Sequence, residues 1–322
     1  MNNFKKLGLT ALASSLVVSS AVAGEMSVAG GASIGLKNTS KTASGKSWTM
    51  GNQLTFTGSG ELDNGMNVSM SFVLDQDDDT TQSEAKREEN SPFDSHSVTV
   101  SSDMLGSLVF SGEGGSSAQS AIDTTAAGDL WDNGSGFTAP RASEAGNNSL
   151  FYTLPSIMDD LAITASMSPG SAGGSTATAY AFTYTGVEGL SVSYGAGETN
   201  TVGTEQDHTT MKASYAWGSF TIGASTTESA YDNAASVDET VDSWQVAYTV
   251  SDDMSVTYGV DTIETEAQSV DEEISGIGIS YTTGGVTITA NRFEATGQGN
   301  SNTETATTGD AERWTLGASF AF

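Results

Sequence analysis

The chain has no cysteine, four prolines, two histidines, and 11 Lys and Arg against 40 Asp and Glu in 322 residues. Each shortage excludes something. Without cysteine there is no disulfide framework, thiolate metal centre or cysteine nucleophile. Two histidines, His96 and His208, leave almost no material for a zinc site or a His-dependent triad. A formal charge of -29 repels a phosphate backbone, and the clustered Lys and Arg that bind nucleic acid are missing, so no nucleic-acid partner is expected. After residue 23 no stretch approaches the ~18–20 consecutive apolar residues of a membrane-spanning helix.

What is present begins with a leader. Residues 1–23, MNNFKKLGLTALASSLVVSSAVA, join a basic start (Lys5, Lys6) to an apolar run from Leu7 to Val18 and a small-x-small site at Ala21-Val22-Ala23, the pattern of a secretory signal. Cleavage there is expected to leave 24–322 as the mature domain, and losing the two lysines takes the formal charge from -29 to -31.

Past the leader, apolar residues recur at every second position. In 66–74, Met66, Val68, Met70, Phe72 and Leu74 share one face, with Asn67, Ser69 and Ser71 on the other: a strand with one apolar and one small polar side. The same alternation marks 26–37, 50–62, 159–168, 178–185, 190–198, 209–217, 219–226, 241–250, 254–263, 274–282, 285–293 and 312–322, and more weakly 94–101, 105–111 and 148–154, which makes sixteen strands. Connections alternate as well. Short links at 63–65, 102–104, 155–159, 186–189, Gly218, 251–253 and 283–284 carry residues suited to tight antiparallel turns. Polar segments separate them at 38–49, 75–93, 112–147, 169–177, 199–208, 227–240, 264–273 and 294–311.

An even strand number, ~10-residue strands and alternating short and long connections are what a closed up-and-down transmembrane barrel requires, since closure leaves no unpaired sheet edge in lipid. The sequence therefore predicts an all-β, antiparallel transmembrane β-barrel of sixteen strands, with both termini on the short-turn side. Apolar faces look outward to lipid and Ser/Thr/Gly faces look into a wet lumen. Aromatics toward the ends of the outward faces, such as Tyr184, Trp217, Trp244, Tyr281 and Trp314, fit interfacial girdles. Small outward residues on the first and last strands, Gly30, Ala32, Ala290 and Ala318, suit a subunit contact.

Five segments together resemble the general bacterial porins over nearly the whole mature length: MSVAGGASIGLK, the hairpin LTFTGSGELDNGMNVSMSFVL, LGSLVFSG before the longest loop, NNSLFYTLP after it, and the terminal ERWTLGASFAF. The resemblance implies a homotrimeric diffusion channel in the Gram-negative outer membrane, embedded in its lipids, that passes small hydrophilic solutes and ions with no chemistry and no cofactor. It also implies that Phe320 and Phe322, in the terminal alternating run, belong to the signal read by the barrel-assembly machinery. The third long loop is expected to fold inward as a constriction.

That loop, 112–147, carries Glu113, Asp123, Asp129, Asp132 and Glu144 with a single cation, Arg141. A connection of this length without regular structure is more often functional or disordered than incidental. Members of the resembled family oppose it with basic wall residues. Here parity points Lys37, Lys212 and Arg313 into the lumen, with Lys37 and Arg313 at one height where the first and last strands meet, and leaves Arg292 at the outer interface. Glu61 and Asp261 also point inward. So few bases among these carboxylates make a cation-preferring pore the expectation. The family's Pro-Glu-Phe-Gly loop signature is absent. Most other acids are expected in external loops, solvated and screened.

The run Asp75-Gln76-Asp77-Asp78-Asp79 resembles the opening of a calcium loop, but Thr80 stands where the sixth-place glycine is required and Lys86 where the twelfth-place Glu belongs, so no metal site is expected. Three further readings compete with a general channel. The barrel could select a sugar or an amino acid. The chain could be an acidic β-rich surface or adhesin protein, although its strand spacing shows no fixed repeat. An enzymatic barrel is disfavoured, because neither histidine has a catalytic setting.

Overall fold

Period-two alternation becomes a closed wall in the structure, a computed structural model that describes residues 24–40, 45–75, 93–126, 128, 130, 139–144, 147–170, 175–201, 203–233, 236–266, 268–303 and 308–322. The leader, the acidic residues 77–79, Asp129 and Asp132 lie outside the described residues. The strands are β1 (Glu25–Thr39), β2 (Gly45–Glu61), β3 (Asn67–Asp75), β4 (Phe93–Ser102), β5 (Gly106–Glu113), β6 (Ser149–Thr153), β7 (Leu161–Ser168) and β8 (Thr176–Val187). They continue as β9 (Leu190–Thr201), β10 (Thr204–Trp217), β11 (Phe220–Tyr231), β12 (Glu239–Ser251), β13 (Met254–Thr265), β14 (Glu272–Thr283), β15 (Val286–Gln298) and β16 (Gly309–Ala321). Each pairs with its neighbours in antiparallel order, and β1 pairs with β16, so the sheet closes on itself.

Side-chain size shows which face looks outward. Along β8, Ala177, Ala179 and Ala181 are buried at 4, 6 and 2 % exposure, while Tyr180 and Phe182 between them are 54 and 42 % exposed. Ala179 and Ala181 pack with Ala118 and Ile122 from the loop inside the barrel, so the aromatic face is the outer one. The outward apolar parity holds on other strands, as at Ile277, Ile279 and Tyr281 of β14, all more than 40 % exposed. Exposure that would be a liability in water is solvation by lipid here.

Short turns close one end. At Asp63-Asn64-Gly65 the Asn64 side chain accepts a hydrogen bond from Met66 N–H at 3.1 Å, and Gly65 takes φ +80°, a conformation open to glycine. β1 starts and β16 ends on this side. Phe322 continues the β1–β16 ladder with two bonds to Gly30, N–H to carbonyl at 3.0 and 2.7 Å. A side chain at Gly30 would overlap the Phe322 ring. The smallness of Gly30 is thus used within the chain by the terminal aromatic.

The other end differs from the sequence reading in one respect. Some segments expected as long loops are partly strand: β9 runs to Thr201 and β10 starts at Thr204, and β2 begins at Gly45. Backbone pairing continues above the hydrocarbon, but outward positions there no longer need to be apolar, so the alternation fades before the ladder does. Asp207, Glu228, Glu264, Glu273 and Glu294, expected in loops, therefore lie on strands, where Asp242 and Glu312 join them. These acids, one on each of β10 to β16, are exposed and share parity with the lipid-facing residues below them. Arg292 lies among them, at the outer interface as expected, paired with Glu294 at 2.5 Å and Glu312 at 3.6 Å.

Candidate functional site

After β5 the chain turns into the lumen at Gly114, φ +72°. A compact knot follows, in which Ser117 and Ser120 exchange N–H to hydroxyl bonds at 3.1 and 2.9 Å and residues Ser120–Ile122 form a single 3-10 turn. From there the loop runs along the inner wall. Ala118 N–H bonds Ser166 Oγ of β7 at 2.8 Å, and Gln119 Nε2 bonds Thr210 Oγ1 of β10 at 2.7 Å. Thr227 Oγ1 of β11 donates to the Thr124 carbonyl at 2.9 Å. Ala126 N–H reaches Ser243 Oγ of β12 at 2.8 Å, and that hydroxyl donates to Asp261 Oδ1 of β13 at 2.6 Å.

The returning arm is tied to the outgoing one and to the wall. Ser143 N–H donates to Gln119 Oε1 at 2.8 Å, the Ser143 and Ser117 hydroxyls lie 2.5 Å apart, and Glu144 N–H bonds Thr199 Oγ1 of β9 at 3.0 Å. The wall is cut down to receive the loop. At Gly195 a Cβ would lie 3.0 Å from Gln119 Cα, and at Gly197 2.6 Å from Ser143 Cβ. Glycine within a strand costs stability, and close approach of another backbone is the common reason for it.

The residues expected to shape the pore divide into three groups. Lys212 and Asp123 meet: Lys212 Nζ lies 2.9 Å from Asp123 Oδ2 and 3.0 Å from the Thr125 carbonyl, so this wall cation holds the loop. Arg141 does likewise. Its amide and Nε face Glu239 at 2.8 and 3.4 Å, its Nη1 donates to the Val237 carbonyl at 2.6 Å, and its guanidinium stacks 5.4 Å from the Tyr231 ring centre. Lys37 and Arg313 stay on the closure seam. Register sets Lys37 opposite Thr315 and Thr39 opposite Arg313, so the two cations are one diagonal step apart, as parity implied.

Three expected positions need correction. Glu113 is the last residue of β5, not part of the loop, because pairing with β4 extends to His96. Asp261 points inward but is fully buried, covered by the loop through Ser243, and adds no open carboxylate to the lumen. Glu61 ends β2 beside Asn67 at the short-turn mouth, far along the strand from the docked loop. Gln119, Thr210, Ser243, Glu239 and the inward glycines escaped the sequence reading. Glycines in phase with the inner face were their one detectable signal.

A closed sixteen-stranded barrel with an apolar exterior and a long loop docked on its inner wall defines a membrane channel. The chain belongs to the Gram-negative porin family, whose sequence profile matches residues 8–287. The trimer form of OmpT, an outer membrane protein of Vibrio cholerae, is similar at TM-score 0.71 and 15 % identity, over 93 % of this chain and 100 % of the other. The anion-selective porin of Comamonas acidovorans matches at TM-score 0.71 and 14 % identity over 92 and 99 % of the two chains. OmpF of Salmonella typhi, solved with daunomycin, matches at 0.70 and 11 % over 93 and 98 %. No curated protein sequence matches the chain. The protein is an outer-membrane porin.

Proposed function

We propose that this porin passes small hydrophilic solutes and ions passively, with a preference for cations, and works as a homotrimer after export by the leader 1–23. The supporting observation is how the lumenal bases are used. Lys212 and Arg141 are consumed in fastening the loop, each against a carboxylate, and Lys37 and Arg313 remain together on the β1–β16 wall. Glu113 and Glu144 stand on the loop side without a basic partner among the described residues. In a water-filled constriction an excess of carboxylates raises the local cation concentration. With Asp123 paired to Lys212, the proposed selectivity set is Glu113 and Glu144, joined by Asp129 and Asp132 of the same loop sequence, against Lys37 and Arg313, and Phe320 with Phe322 form the proposed assembly signal. The OmpT trimer supports the trimeric reading by likeness of fold.

Planar-bilayer recording tests this directly. Insertions are expected to conduct in groups of three equal steps, and a tenfold KCl gradient is expected to give a cation-sided reversal potential. An anion-sided potential would overturn the preference, and a folded barrel without conductance would overturn the channel.

A further inference from the structure

Most described contacts that tie the loop to the wall are polar; Ala118 and Ile122 pack on the small alanines of β8, and farther along the loop a larger apolar contact is made. Leu130 is 6 % exposed and lies in an apolar cluster drawn from five consecutive strands: Val241 of β12, Ile263 of β13, Ile274 of β14, Phe293 and Ala295 of β15, and Ala311 of β16. All are buried, on a lumenal face that elsewhere carries chiefly small residues such as serine, threonine, alanine and glycine. Such a patch contributes nothing to lipid contact and would be poorly solvated in an open channel. Its floor is Gly276, where a Cβ would lie 2.7 Å from Leu130 Cδ2 and 2.9 Å from Phe293 Cδ1.

We infer that Leu130 is a positioning plug that pins the far reach of the loop over β12–β16 and thereby sets the open width of the channel, an inference that rests on the porin reading. Among the described residues, no other contact holds the loop between Ala126 and Arg141. The polar fasteners on either side, Ser243 and Glu239, are buried at 4 % exposure each, yet on detachment their groups take up bonds to water, so the net contribution of each is small. Burial of the leucine has no aqueous substitute, since water cannot replace apolar packing. With Leu130 seated, the loop lies against the wall opposite β2–β5. Without that seat the loop at Leu130 loses its apolar hold on β12–β16, and a second channel width is expected to become populated.

The full-length protein with Leu130→Ala, and separately Leu130→Asp, is recorded in planar bilayers after heat-modifiable migration has shown a folded barrel. Losing a buried leucine is expected to raise the occupancy of a second conductance level roughly 10- to 100-fold over the native channel. The native chain has no cysteine, so Leu130→Cys reports the seat directly. It is expected to react with a hydrophilic maleimide much more slowly than Asp103→Cys, placed in an exposed turn. Folded Leu130→Ala channels that match the native one overturn the plug and leave the porin reading intact. Labelling of Leu130→Cys as fast as Asp103→Cys overturns the seat. A native chain that does not conduct overturns the porin reading itself.

Discussion

Lys212 shows how a charge can be taken out of a channel without leaving the wall. Its ammonium is held between the Asp123 carboxylate and the Thr125 carbonyl, so neither member of the pair presents its full charge to a passing ion. Removing the base should free the acid. Lys212→Met is expected to shift the reversal potential further to the cation side, by an amount that shrinks as salt rises, because the screening length falls from about 10 Å at 0.1 M to about 3 Å at 1 M. A shift of the opposite sign, or one independent of salt, would count against Asp123 facing the conducting path.

At the scale of the element, the loop behaves as a folded strap. Gln119 is fully buried and is its centre, donating to the barrel at Thr210 while accepting from the returning arm at Ser143. Gln119→Ala leaves a buried amide and hydroxyl with fewer partners, a loss of about 1–3 kcal/mol. The cost falls on docking, since the barrel ladders do not pass through this side chain. Arg141 is the sole Lys or Arg in residues 112–147, so trypsin reads detachment at a single bond. Cleavage after Arg141 in the reconstituted barrel is expected to accelerate roughly 5- to 100-fold in Gln119→Ala, the population change such a loss implies. The heat-modifiable barrel band should remain. Loss of that band would show that the residue supports the barrel as well.

On the scale of the whole molecule, charge marks where lipid ends. The outward carboxylates of β10 to β16 stand above an apolar belt that includes Ile222, Trp244, Tyr258, Ile277 and Ile288. A basic side chain on the lipid face is costly in proportion to depth. Ile279→Lys, deeper in the belt opposite Ala290, is expected to lose about 2–4 kcal/mol of folding stability, whereas Glu264→Lys, in the carboxylate collar, should change it by about 0–1 kcal/mol. Reversible denaturant titration into bilayers measures both. Equal costs at the two positions would mean that the collar is itself within the hydrocarbon.

The barrel was legible in the sequence because alternation is a local consequence of a strand with lipid on one side and water on the other. MNVSMSFVL states its own geometry, and sixteen such segments with alternating connections leave closure as the one arrangement without an edge in lipid. Parity also placed Lys37, Lys212 and Arg313 on the inner face, since a period of two assigns every side chain to a side. Beyond the hydrocarbon that signal vanishes, which is why the alternation marks β10 only from 209 although the strand runs from Thr204. Which inward groups meet the loop was decided by tertiary structure alone. Lys212 and Asp123 are 89 residues apart, Arg141 and the Val237 carbonyl 96, and a loop without periodicity carries no mark of where along the wall it will lie. Barrel curvature and the missing side chains at Gly195, Gly197 and Gly276 fix that path, because only there can the loop backbone and Leu130 approach the wall closely. The sequence determined a channel wall with its two faces; the fold determined which of its charges remain in the channel.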